Sequence, residues 1–470
     1  MTQRPVFLGG IISALIARCA FAPLTYDFVA WFALVPFIFS LHRNRHSHWL
    51  RLTHGLCFGL ALVLWCQSWF FDALLPKDAG VVDSLQALLK SSGAWISIAI
   101  FSGAFALAAG PFVRSRNLLF GAVGLAIVWT GLEVIRGHLE LPWVAGWLSL
   151  GYALDGSSSQ AQIARFVGVH GLSFLLILSS GFLTATLIET RTPMQVAYAL
   201  MAGSIPLLLS PLGLSSDSPR AVDRPGEFRT AIFSGAHSPD ELVNIVESLT
   251  RFDASFTVLP RPTHDSSETN TIVDKLADLL KARGGVFLRK QNDIMVVYTP
   301  VAGSAGRPTP LEEKASVYES ADGRFGLGVD FDYLRTLRAR MQCRGGADLL
   351  VSNLATTAEW KPKALEQILN MQRFRAVENR RWMIYVSSTG AFILDASGKT
   401  RSGLQPGVTG AGVDVACFTN DDSVYSRWGW FVEPTFALLT LTAIGWSFLT
   451  RKRANASSPD DLPAALQVNS

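Results

Sequence analysis

The chain has 470 residues, of which 49% are hydrophobic and 17% charged, and its formal net charge is +4. Soluble domains carry about 25% charged residues, so a wholly soluble protein is excluded. The small, dispersed positive balance excludes a nucleic-acid interface.

The charge deficit is uneven. Residues 1–213 form apolar runs with few charges, 214–425 have the composition of a soluble domain, 426–450 hold a last apolar run, and 451–470 are a polar tail expected to be disordered. A bilayer core needs roughly 20 apolar residues of helix. Spans are predicted near 6–22, 26–41, 53–74, 92–112, 117–135, 170–189, 195–213 and 428–449. The first is interrupted by Arg18 and competes with a cleaved signal peptide, but the next apolar run follows it without a clear cleavage site. Arg4, Arg43, Arg45, Arg51, Arg114, Arg116, Arg191 and the Arg451–Arg453 cluster fall on one side if there are about eight spans. By the positive-inside rule that side is the cytoplasm. Both termini are then cytoplasmic, and 214–425 lies outside.

Within 228–417, FRTAIFSG, SFTVLP, GVFLRK, IMVVYTP, RFGLGVDF, ADLLVSN, RWMIYVSS and AFILDA read as strands. ELVNIVESLTRF, TIVDKLADLLKARG, DYLRTLRARMQCRG and PKALEQILNMQRFRAVENR carry helical apolar spacing. Alternating strands and helices predict a layered α/β domain. The five cysteines are Cys19, Cys57, Cys66, Cys343 and Cys417. Three lie in apolar runs, where a thiol packs as a small hydrophobe. Cys343 and Cys417 share the soluble segment and are open to pairing in an oxidising compartment, although no motif brings them together. No Cys/His spacing marks a metal site, and no cofactor is implied.

Several stretches resemble the bacterial apolipoprotein N-acyltransferases. FAPL, GLCFGLALVLWCQSW and above all GLEVIRGHLELPWVAGWLSLGYALDGSSSQAQIARFVGVHGLSFL are similar to the family's membrane half. The matching residues are Glu133, Arg136, Pro142, Trp143, Gly151, Tyr152, Gly168 and Gly171. GGADLLVSNLATTAEW and RFRAVENRRWMIYVSSTGAFILDASGKT resemble its carbon–nitrogen hydrolase domain. The resemblance implies a polytopic α-helical membrane domain with a nitrilase-like α-β-β-α sandwich. It also implies phospholipid as ligand, with lipoproteins or another lipoprotein-processing enzyme as partners. The implied reaction moves an acyl chain from phospholipid to the terminal cysteine of a lipoprotein through an acyl-cysteine.

That chemistry needs a thiolate nucleophile, a carboxylate base and a lysine for the oxyanion. At the positions the resemblance assigns, Arg261 follows Pro260 where the family has Glu, and Asp330, Phe331 and Asp332 stand in place of Cys-Tyr-Glu. VVYTPVAGSAGRPTPLEEK carries no lysine at the expected distance after Tyr298; Lys290 and Lys314 only flank it. The catalytic set is therefore expected to be absent, with Arg261 and Asp330 available as a salt bridge. An acyl-aspartate on Asp330, or Cys343 as nucleophile, are the alternatives. Asp332 and Glu378 are candidate supports of the site, Glu378 with a helix-framework role as the plainer reading. Glu133 and Arg136 share a helix face at a span end, as an interfacial ion pair or a headgroup contact through Arg136. Trp143 and Tyr152 are further lipid-contact candidates. Trp65, Trp69, Trp147, Trp428 and Trp430 mark either an aromatic belt or an entrance for acyl chains.

Overall fold

Apolar runs of about 20 residues satisfy their backbone polar groups only as helices, and the described residues up to Leu214 form helices joined by turns. The computed structural model describes residues 7–75, 80–139, 146–214, 227–234, 256–258, 289–290, 293–294, 297–298, 317–319, 323–329, 332–354, 362–387, 389–405, 408 and 410–456. The helices are α1 (Leu8–Ala20), α2 (Asp27–Ala30), α3 (Val35–Arg43), α4 (His48–Gln67), α5 (Trp69–Ala73), α6 (Val81–Ala108), α7 (Gly110–Arg114), α8 (Leu118–Gly137), α9 (Ala164–Ile188) and α10 (Thr192–Leu214). In the second half they are α11 (Thr336–Arg344), α12 (Pro362–Asn379) and α13 (Val424–Ala456).

Among the described residues, four helical stretches are long and apolar enough to cross a bilayer: His48–Gln67, Val81–Arg114, Leu118–Gly137 and Ala161–Ile188. Caps fix two of their starts, since Ser47 Oγ accepts from the Leu50 amide at 3.3 Å and Asn117 Oδ1 from the Phe120 amide at 3.1 Å. The predicted span at 26–41 is two helices, α2 and α3, with a turn between them and Pro36 in the first turn of α3. Proline is favoured there because its missing N–H costs nothing at a helix start. The predicted span at 6–22 is the 13-residue α1, about 20 Å long at 1.5 Å per residue and short of the bilayer core. The runs at 195–213 and 428–449 lie within α10 and α13.

Small residues let these helices approach. A side chain at Gly55 or Gly59 would strike α6 at Ser102 and Ala99, and one at Gly131 would strike Thr440 of α13. Phe37 stacks on Phe58 with centroids 4.6 Å apart, and Phe105 meets Trp129 edge-on at 4.9 Å. Such pairs fill the bundle and contribute about 0.5–1.5 kcal/mol each beyond burial.

The α/β half has two facing sheets. One runs β12 (Gly410–Cys417), β1 (Glu227–Ser234), β2 (Phe256–Val258), β5 (Val297–Tyr298). The other runs β11 (Thr400–Leu404), β10 (Gly390–Leu394), β9 (Trp382–Ser387), β8 (Leu349–Leu354), β7 (Arg324–Val329), β6 (Val317–Glu319). A separate ribbon pairs β3 (Arg289–Lys290) with β4 (Asp293–Ile294). β7, β8 and β9 are parallel, with Leu327 opposite Val351 and Val351 opposite Ile384. β8 and β9 are buried on both faces, which is why they read as unbroken apolar runs. Phe228, Ile232 and Val258 of the first sheet pack on Phe325, Val351, Ile384 and Ile393 of the second. The outer face of the second sheet offers Leu350, Met383 and Tyr385 to Ile368 and Phe374 of α12, in one core continuous with the membrane helices. Three of the expected four layers are thus described. ELVNIVESLTRF and TIVDKLADLLKARG, the helices expected outside the first sheet, lie outside the described residues.

Candidate functional site

The helical and α/β halves meet along α12, and the meeting surface is polar. α12 presents Lys363, Gln367, Asn370, Arg375 and Glu378 to the helical half. Lys363 Nζ donates to the Trp65 carbonyl at 2.7 Å, and Gln367 Nε2 to that of Cys66 at 2.9 Å. Trp69 Nε1 donates to Gln367 Oε1 at 3.1 Å, with its ring 5.3 Å from Trp147. Asn370 Nδ2 donates to the carbonyls of Tyr152 and Leu154 at 3.0 and 2.9 Å. These bonds occupy carbonyls left open where helices end or turn.

α9 is broken at Gly168, where φ is +69° and ψ 176°. Only glycine enters that region readily, and any side chain there would strike the Tyr425 ring. The break frees the Val169 amide, which donates to Glu378 Oε1 at 2.8 Å. Glu378 Oε2 lies 2.9 Å from Arg375 Nη2, which also donates to the Tyr152 hydroxyl at 2.8 Å. Burial pushes the Glu378 carboxyl up against the pull of Arg375. Burial pushes the Tyr152 hydroxyl up as well, again opposed by Arg375.

A second cluster lies beside this one. Glu133 Oε1 accepts from Trp129 Nε1 and from the Leu150 amide, both at 2.7 Å. Arg136 Nη2 donates to Ser149 Oγ at 3.3 Å. The imidazole of His170 sits between two carboxylates, 3.8 Å from Glu133 and 3.9 Å from Glu433. Glu433 gathers Arg340 at 2.8 Å, Tyr425 at 2.6 Å and Thr336 at 3.0 Å. Burial opposes the charge on Arg340, but Tyr425 and Glu433 beside it raise its pKa on balance.

The turn after β7 rests on this layer. Asp332 opens the single 3-10 turn Asp332–Leu334, half-exposed, with Arg338 Nε 4.0 Å from its carboxylate. Tyr333 is buried and bonded to Gln342, and the Leu334 carbonyl packs against Gly146 of the loop following α8. Asp332, Glu378, Glu133, Arg136 and Tyr152 are thus placed at or near the junction, with Glu378 and Tyr152 joined through Arg375. Arg261, Asp330 and Trp143 lie outside the described residues, as do Pro260 and Phe331. Trp428 and Trp430 are exposed at the start of α13. Sequence reading missed Arg375, His170, Arg340 and Glu433. The signal was present in part, because Gln367, Asn370, Arg375 and Glu378 interrupt an otherwise helical core pattern on α12.

None of the cysteines follows β7. Cys19 is on α1, Cys57 and Cys66 on α4, Cys343 on α11 and Cys417 on β12. Cys343 and Cys417 are 3% and 5% exposed and are both thiols rather than a disulfide. Burial pushes the Cys343 thiol up to about 12. Two clefts accompany the junction. One lies beneath α12, against Phe21, Trp147, Tyr152 and Met371. The other lies between α6 and α8 and is floored by Glu133 and Arg136.

Residues 13–182, which include Glu133, Arg136, Tyr152 and Gly168, match the family model of the apolipoprotein N-acyltransferase N-terminal domain. The chain is similar to the apolipoprotein N-acyltransferases along most of its length. The enzyme of that name from Geobacter metallireducens is 24% identical, covering 85% of this chain and 87% of its own. That from Thermotoga maritima is 22% identical, covering 90% and 89%. Among solved structures, Nit3 of Saccharomyces cerevisiae, of the nitrilase superfamily, shares 14% identity over 44% of this chain and 94% of its own, with a TM-score of 0.32. An amidase from Nesterenkonia sp. shares 13% identity over 44% and 98%, at 0.31.

Proposed function

We propose that this chain is a non-catalytic relative of the apolipoprotein N-acyltransferases, which keeps the lipid-facing scaffold and binds a phospholipid, a lipoprotein or a partner enzyme of lipoprotein processing. The observation that carries this reading is the placement of the thiols. An acyl-cysteine mechanism needs a thiolate at the turn after β7. The chain's cysteines are on helices and on β12, and those of the α/β half are buried. The aligned positions hold Arg261 and Asp330, and the segment after Tyr298 has no matching lysine. The retained framework around Glu378 and Tyr152 supports a folded scaffold rather than a decayed one.

In this reading 1–213 is a seven-helix membrane domain, 214–425 a periplasmic domain, 426–450 the eighth span and 451–470 a cytoplasmic tail, in a bacterial inner membrane. The test is complementation of a strain depleted of its own N-acyltransferase. The reading expects no rescue at matched expression; rescue would establish the alternative, an active acyltransferase with altered residues.

A further inference from the structure

We propose that the outward face of α11 lies in the interfacial zone of the outer leaflet, so that the α/β half is seated on the membrane surface beside α13. The proposal rests on the reading of α13 as the eighth span. It holds whether or not acyl transfer occurs in the α/β half.

α11 runs antiparallel along the first turns of α13. Thr336 Oγ1 donates to Glu433 Oε1 at 3.0 Å, and Arg340 donates to Glu433 Oε2 and to the Tyr425 hydroxyl, both at 2.8 Å. A side chain at Gly429 would strike Arg340, and the Arg344 guanidinium sits 5.9 Å from the centre of the Trp430 ring. The start of α11 is therefore level with Glu433. Along the continuous α13, Glu433 stands about 27 Å from Arg451 at 1.5 Å per residue. A hydrocarbon core is about 30 Å thick. With Arg451 at the cytoplasmic edge, Thr336 and Leu337 reach the outer edge of that core. Trp428, Trp430 and Phe431 are exposed on α13 at nearly the same level, as in the aromatic belt of a membrane interface.

The inward side of α11 is already covered. Thr336, Ala339, Arg340, Gln342 and Cys343 are buried, and Ala339 and Cys343 join the core that α12 shares with the membrane helices. The face left open carries Leu337 and Met341, one turn apart and each more than a third exposed. Arg335 and Arg338 flank them half-buried, and Arg344 is exposed. Asp332, just ahead of the helix, is countered by Arg338 at 4.0 Å. Apolar side chains ringed by arginines suit an interfacial helix, whose apolar face enters the boundary of headgroup and acyl chain while the guanidinium heads stay with the headgroups. A water-soluble partner would have to meet this face at the depth that lipid fills around α13. α12, the other helix of the layer, is seated on the helical half through Gln367 and Glu378, and α11 continues that layer alongside α13.

The test is depth-dependent quenching of the full chain reconstituted in vesicles of phosphatidylcholine and phosphatidylglycerol. In a Cys19→Ala, Cys57→Ala background, Leu337→Cys, Met341→Cys and Leu438→Cys are each labelled with a nitrobenzoxadiazole fluorophore; Cys66, Cys343 and Cys417 are buried. The quenchers are lipids with a nitroxide near the head end of the acyl chain, lipids with a nitroxide near its tail end, and iodide on both sides of the membrane. Leu438 is exposed on α13 well below Glu433, and its probe is expected to lose most fluorescence to the deep nitroxide. Probes at 337 and 341 are expected to lose most to the shallow nitroxide, and far less to iodide than the free dye does. Quenching at 337 and 341 by iodide alone would put this face in water and overturn the proposal, while deep quenching at 438 would leave the eighth span standing. Protection of 337 and 341 from iodide and nitroxide alike would show that protein covers the face, such as a second copy of the chain, and would also overturn it. Iodide quenching at 438 would remove α13 from the bilayer and take the proposal with it.

Discussion

Glu378 of α12 accepts the backbone N–H of Val169 at 2.8 Å, so a carboxylate from the α/β half caps a helix of the membrane half. The bond exists because Gly168 breaks α9 one residue earlier. Arg375 then ties the same carboxylate to Tyr152, and the three residues form a latch across the junction. Breaking a buried ion pair by removing one partner leaves an uncompensated charge and costs about 3–5 kcal/mol. Removing a single hydroxyl costs about 1 kcal/mol.

Glu378→Ala is therefore expected to destabilise the folded protein by about 3–5 kcal/mol, and Tyr152→Phe by about 1 kcal/mol. The two effects are expected to be non-additive because both act on Arg375. Unfolding of the detergent-solubilised protein measures this. A Glu378→Ala protein that unfolds like wild type would show that the latch contributes nothing.

Glu433 is expected to behave as a second clamp, between α13 and α11. Glu433→Ala strands Arg340 in a buried site and is expected to cost about 3–5 kcal/mol. Arg340→Met in the same background is expected to restore part of that loss, since it removes the stranded charge. A double-mutant cycle with no coupling between the two sites would contradict the clamp.

The Cys343 thiol has its pKa raised from 9.0 to about 12, chiefly by burial. The neutral thiol is the form the fold favours. Its contribution to stability is complete below the unfolded value near 9.0 and is lost as pH rises towards the folded value. At pH 8 the folded protein is expected to resist alkylation by iodoacetamide at Cys343, and to react after denaturation. Rapid modification of Cys343 in the native protein would show an exposed, ionised thiol and revive it as a nucleophile.

Reporter fusions test the orientation. A periplasmic reporter joined after residue 220 is expected to be active, and a cytoplasmic reporter joined after residue 455 likewise. Activity of the opposite reporter at either point would contradict the arrangement with both termini inside.

The sequence was most informative where burial is two-sided or periodic. β8 and β9 are covered on both faces and read as apolar runs, and α4, α6 and α8 read as spans. β11 and β12 went unrecognised because glycine and polar residues dilute their patterns, β12 being GAGVDVAC and β11 TRSGL with a largely exposed face, and β6 went unrecognised because it is only three residues long. The segment at 26–41 is apolar enough to read as one span, and the one mark of its division into α2 and α3 is Pro36 at the start of α3. Glu133, Arg136, Tyr152 and Glu378 could be selected from motif resemblance. Arg375 stands one turn before Glu378 on α12 and was legible in part, whereas His170, Arg340 and Glu433 were not, because only tertiary packing brings α9, α11 and α13 together there.

In the proposed reading Arg261 and Asp330 stand at the base and nucleophile positions, and both can be rebuilt. Asp330→Cys alone is expected to give no turnover, because Arg261 accepts no proton where the base is needed. Asp330→Cys with Arg261→Glu is expected to trap a slow thioester at most, without the oxyanion lysine. Multiple turnover by the single variant would show that a base other than residue 261 serves the site.

Intact-mass analysis of the purified, unmodified chain after incubation with phospholipid and a diacylated lipopeptide tests the central claim most directly. Loss of catalytic-triad members leaves losses of roughly 10⁴- to 10⁶-fold, so the expected result is an unchanged protein mass and no triacylated peptide. A gain of one fatty acyl group, mapped to any residue of the α/β half, would contradict the reading of this chain as a non-catalytic scaffold.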